Sequence, residues 1–81
     1  MKGLWSPPHG ALLATLRTAR TMAGFTQAEV AERLMQPLSF VAKYAAGARR
    51  IDVVELLQIT DALRMDACAI LRRMKKTRHA Y

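Results

Sequence analysis

Residues 26–47, Thr-Gln-Ala-Glu-Val-Ala-Glu-Arg-Leu-Met-Gln-Pro-Leu-Ser-Phe-Val-Ala-Lys-Tyr-Ala-Ala-Gly, set two short helical patterns on either side of a tight break. Thr26 with Glu29 three residues on is a capping box, which satisfies amides that a helix start otherwise leaves without partners. Val30, Ala31 and Leu34 then fall on one face of the helix that follows. Met35-Gln36-Pro37 interrupts it, because proline disfavours helical geometry in the residue before it. Pro37 suits the first position of a new helix. That helix is expected from about Leu38 to Ala46, with Val41 and Tyr44 inward and Gly47 stopping it in a left-handed conformation.

The flanking sequence supplies the body these two helices need. Ser6-Pro7 is a cap followed by proline at a first helical position, and the helix it starts is expected to run to about Ala23. Leu12, Leu16, Ala19 and Ala23, joined by Leu13, form its buried stripe, with Arg17 and Thr18 off it. Gly24 ends that helix, and Phe25 is placed to staple against Val30. Beyond the basic loop Ala48-Arg49-Arg50, Asp52 and Glu55 mark another helix start, whose apolar face is read as Val53, Leu56, Leu57, Ile59, Thr60 and Leu63. Arg64-Met65 breaks it without glycine, and Asp66 caps a fifth helix of about residues 67–76 that presents Ile70, Leu71 and Met74.

The expectation is an all-α fold, a five-helix bundle in one domain spanning residues 1–81. Its compact core covers about residues 6–74, between a loose arm at 1–5 and a frayed tail at 75–81. Trp5 is expected to fold back over the core, since a lone exposed tryptophan is wasteful in a small domain.

Eighty-one residues allow one small domain with a modest core, so an oligomer would help its stability. Hydrophobic residues make up 52% of the chain, which argues against disorder despite a formal charge of +7. A pI near 10.6 favours a polyanionic partner, nucleic acid ahead of a membrane surface. No apolar run reaches membrane-spanning length and the first ten residues lack the apolar core of a signal peptide, so the chain is expected in the cytoplasm. Cys68, the only cysteine, excludes an internal disulfide and is expected to be buried. His9 and His79 have no partners at metal-ligand spacing, and neither a metal nor a cofactor is expected. No nucleophile–base pair, paired acids or phosphate loop appears, which points away from an enzyme, and no small-molecule ligand is evident.

Between Arg33 and Arg50 there is no acid, while Arg33, Lys43, Arg49 and Arg50 are basic. The basic stretch therefore coincides with the second helix of the pair and the loop after it, as double-stranded DNA binding would require.

Arg20, Gly24-Phe25-Thr26-Gln27, Glu29, Ala31, Leu34, Ser39-Phe40-Val41, Lys43-Tyr44, Gly47 and Arg49-Arg50 resemble the Xre/Cro-type helix-turn-helix regulators of bacteria and phages. The stretch from Ile51 to Leu63 is similar to the helix that follows in that family, so the likeness covers about residues 9–74. It implies a lambda-repressor-like DNA-binding domain and a transcriptional regulator, a repressor or control switch at operator DNA of a phage, plasmid or mobile element. The second helix of such a motif enters the major groove, which makes the outward-facing Leu38, Ser39, Ala42 and Lys43 the base-contact candidates. Gln27 resembles the family glutamine that holds a phosphate, and Arg49 and Arg50 are expected to hold phosphates too. The chain departs from the family pattern at Met35, where glycine is usual, and at Leu38, where a polar base-reader is common. It departs again at Ala45, where a glutamate usually pairs with the first-helix arginine, here Arg20. Ala48 also replaces a frequent acidic residue.

Apolar residues on the C-terminal helices point to a homodimer formed through them. A reading from another class keeps the bundle but makes it a protein-interaction module, antitoxin-like or an antiactivator, with Leu38, Ala42 and Ala45 in a partly apolar docking face.

Overall fold

The computed structural model describes residues 6–77. Among them the chain forms five helices: α1 (Pro7–Ala23), α2 (Gln27–Leu34), α3 (Leu38–Ala45), α4 (Val53–Ala62) and α5 (Ala67–Thr77). The expected arm at 1–5, with Trp5, and the last four residues of the expected tail lie outside the described residues. Residues 75–77 of that tail lie within α5.

Local signals set the helix starts. The Ser6 hydroxyl accepts from the His9 amide, and both capping boxes close reciprocally, Thr26 with Glu29 and Asp52 with Glu55. The Asp66 carboxylate accepts from the Cys68 amide at 3.0 Å at the head of α5. Gly24 and Gly47 stand at φ +80° and +79°, the left-handed stops that glycine adopts without a Cβ clash. Pro37 is not the first residue of α3 but its cap, with extended ψ of 152°. The constraint on φ is the same at either position, so the boundary moves by one residue without changing the turn.

Packing builds one core around the pair α2–α3. α1 lies against α3 and α5, α2 against α4, and α4 against α5. Leu12, Leu13 and Leu16 share one buried cluster with Val30, Ala31, Val41, Tyr44, Leu56, Ile59, Leu63 and Ile70. Burial on this scale is worth roughly 1.5–3 kcal/mol for each large apolar side chain, which is what holds five short helices together.

Four expectations of burial fail for a geometric reason. Leu57 is exposed because it follows the inward Leu56 by one position, about 100° round the helix, and Leu71 is exposed beside Ile70 in the same way, as a surface for a second copy would need. Val53 is 73% exposed at the first position of α4, and Ala23 is exposed at the last position of α1. Cys68 is also exposed, in the first turn of α5, where the inward positions belong to Ile70 and Met74. His9 and Pro8, which no periodicity singled out, are buried.

Candidate nucleic-acid interface

The turn between α2 and α3 fixes how α3 is presented. Met35 adopts φ 57° and ψ 40°, its amide bonds Glu32 O at 3.1 Å, and the Gln36 amide reaches back to Ala31 O at 3.0 Å. A left-handed conformation costs a non-glycine residue about 1 kcal/mol, and here the main-chain bonds and the packing of α3 maintain it. The Met35 side chain gains nothing in return, since it is 91% exposed.

α3 is pinned from behind by Val41 and Tyr44, both buried, and Phe40 meets Tyr44 edge-on at 5.7 Å between ring centroids. Phe40 is therefore a packing residue. On the opposite side Leu38, Ser39 and Lys43 face solvent, in agreement with the periodicity. Ala42 is half-buried at the edge of that face, where it lines a cleft shared with Gln27. The first residue of α2 and the face of α3 are thus brought together, as a motif that reads bases and grips the adjoining phosphate would need.

The basic stretch does not act as one patch. Arg33 donates from Nε to the carbonyl oxygen of Ala62 at 2.8 Å and lies 4.9 Å from the Phe25 ring centroid, so it staples α2 to the end of α4. Arg49 donates from Nη2 to Glu55 Oε2 at 3.0 Å and lies 4.7 Å from the Phe40 ring centroid. Its Nη1 is buried without a hydrogen-bond partner. That pairing, and then the Asp52 amide, hold the Glu55 carboxyl below its ordinary range. Lys43 and Arg50 are exposed. Arg50 lines a second cleft with His9, whose pKa is lowered mainly by burial and further by the Arg50 charge.

Arg20 is oriented by the main chain. Its Nη1 donates to the carbonyl oxygen of Phe25 at 2.8 Å, locking the turn after α1, and neither Glu32 nor Glu55 takes part. Arg20 and Arg17 also line the cleft that holds Gln27 and Ala42. Residue-type reading missed Arg17 as a functional candidate because it stands off the apolar stripe. The available signal was its spacing of three residues from Arg20, which puts both guanidinium groups on one side of α1.

Among curated proteins, none matches the chain in a sequence comparison. The family model described as helix-turn-helix matches residues 16–69, from the middle of α1 into α5. The solved structure of ClgR, the clp gene regulator from C. glutamicum, has a TM-score of 0.75 at 23% identity over 86% of this chain and 91% of that one, which shows the fold alone. An XRE-family like protein from Pseudomonas syringae pv. tomato str. DC3000 has a TM-score of 0.83 at 38% identity, over 86% of this chain and 85% of that one. With the capped α2, the tight turn at Met35 and the outward face of α3 all inside the matched residues, the chain belongs to the XRE family of helix-turn-helix proteins.

Proposed function

We propose that this protein is a sequence-specific DNA-binding transcriptional regulator, a repressor or control switch acting at operator DNA of a phage, plasmid or mobile element. The observation that carries this reading is the presentation of α3: buried Val41 and Tyr44 hold it rigidly while Leu38, Ser39 and Lys43 face outward beside Gln27. Lys43 donates to guanine O6 or N7, Ser39 donates or accepts at a base edge, and the Leu38 methyls pack on a thymine methyl. Ala42 gives the backbone of α3 a close approach to the groove. Gln27 and Arg50 grip phosphates and supply affinity without sequence information. Arg49 serves the same end at one remove, since its bond to Glu55 positions the loop that carries Arg50. Bound protein then blocks or recruits polymerase in the cytoplasm, at the nucleoid.

The active form is a homodimer through the C-terminal helices, with half-sites about one helical turn, roughly 10 bp, apart. The apolar groups available for it are Leu71 on α5 and Val53, Val54 and Leu57 on α4.

A second reading, a protein-interaction module with little specific DNA reading, is favoured by one observation. Met35 and Leu38, at the turn and at the head of α3, are 91% and 52% exposed. Selection from random DNA followed by footprinting separates the two. A regulator yields a defined site and a protected footprint, whereas an interaction module yields weak, sequence-blind binding that disappears with salt.

A further inference from the structure

The cleft between α1 and α3 holds positive charge with nothing opposite it. Arg17, Arg20 and Gln27 stand at one side, and Ala42, Ala45 and Ala46 form the α3 wall. The space is about 210 Å³, over a floor that includes the buried Leu13, Leu16 and Val41. No acidic residue lines it. Among the described residues, neither arginine has an ion-pair partner. The bond from Arg20 Nη1 to Phe25 O orients that guanidinium and leaves its remaining N–H donors uncommitted to it.

We propose that this cleft is a binding site for a small organic carboxylate. Its oxygens accept from Arg17, Arg20 and the Gln27 amide, and a stem of two or so carbons lies against the alanines. A planar guanidinium fork matches a carboxylate in geometry, and low-dielectric walls strengthen the attraction over that at an open surface. The apolar floor and the alanine wall reward a hydrocarbon stem, which a bare inorganic anion lacks. By contrast, Arg33 and Arg49 already have partners. The site stands whether or not the chain reads DNA. If it does, Gln27 and Ala42 belong to both surfaces, so carboxylate and DNA binding are coupled, and each ligand changes the affinity of the other by the same factor.

The test is a titration of the isotope-labelled full chain with sodium propionate at constant ionic strength, read on backbone amide resonances. The expected result is saturable movement of the Gln27, Ala42, Ala45 and Ala46 amides. Half-saturation should be on the order of millimolar, the range open to a ligand of about five non-hydrogen atoms. In Arg17→Gln the saturable response is lost, and in Ala45→Glu, which carries its own carboxylate into the space, it is lost as well. Shifts that grow without saturating, or that spread over the surface, overturn the proposal. So does an unchanged response in Arg17→Gln, or saturation by inorganic phosphate with none by propionate.

Discussion

Arg49 and Glu55 form an ion pair at 3.0 Å that joins the loop after the α3 helix to the first turn of α4. The Glu55 side chain is 19% exposed and also accepts from the Asp52 amide at 3.0 Å, so a single carboxylate both caps a helix and anchors an arginine. Arg49→Ala should therefore destabilise the fold by about 1–2 kcal/mol through the lost bond and the lost contact with Phe40. Lys43→Ala, at an exposed position, should change stability by less than about 0.5 kcal/mol. Urea unfolding of the two variants side by side checks this, and equal midpoints would show that the Arg49 pair contributes nothing.

Met35 offers a gain in stability. Its φ of 57° suits glycine, and its exposed side chain contributes little packing. Met35→Gly should raise stability by about 0.5–1 kcal/mol, as relief of the left-handed strain outweighs the added freedom of the unfolded chain. For a domain of this size that is roughly 2–8 °C in Tm. Calorimetry showing a lower Tm would mean that the side chain holds the turn by a contact of its own.

Acid sensitivity should begin at His9. The imidazole is 6% exposed, its Nε2 has no hydrogen-bond partner, and burial followed by the Arg50 charge lowers its pKa from 6.5. The unfolded chain therefore takes up a proton more readily than the folded one. Stability is fully present above about pH 6.5 and is lost as pH falls from there through the folded-state value. Glu55, whose pKa is also lowered, adds a second loss beginning near its ordinary value of 4.5 and continuing below it. His9→Gln should flatten the upper part of the profile and leave the lower part in place. Denaturation midpoints measured from pH 7.5 to about 3 distinguish the two steps. An unchanged slope between about pH 6.5 and 5 in the variant would assign the upper step elsewhere.

The proposed homodimer is tested by charge insertion. Leu71 is 49% exposed on α5, and Val53, Val54 and Leu57 are exposed on α4. Leu71→Glu or Leu57→Glu should shift sedimentation at micromolar concentration toward monomer without lowering helix content. A wild-type chain that sediments as a monomer both free and with DNA would remove the dimer.

What was legible in the residues was what depends on near neighbours. Thr26 with Glu29, Asp52 with Glu55, and the stops at Gly24 and Gly47 act within a few positions, so their bonds stand where the spacing puts them. The outward set Leu38, Ser39 and Lys43 followed from periodicity alone. Side-chain partners across the fold were not legible. Arg33 bonds a carbonyl 29 residues away, and Arg20 donates to the main-chain carbonyl of Phe25. Charge counting along the sequence treats Arg33, Lys43, Arg49 and Arg50 alike, whereas packing turns the first and third into structural groups. Leu57 and Cys68 were misplaced because an apolar side chain beside an inward one reads as core until the width of the neighbouring helix is known.

The central claim is that the outward face of α3 reads bases while the loop beyond it only holds phosphates. The most direct measurement is the affinity of Lys43→Ala and Arg50→Ala for a selected operator, its single-base variants and unrelated duplex across a salt series. Lys43→Ala should lose about 1–3 kcal/mol on the operator, change which base is preferred at one position and bind unrelated DNA much as before. Arg50→Ala should weaken every duplex alike and make the salt dependence shallower by about one charge. If Lys43→Ala instead lowers affinity for all duplexes equally and leaves base preference untouched, α3 does not read DNA and the account is wrong.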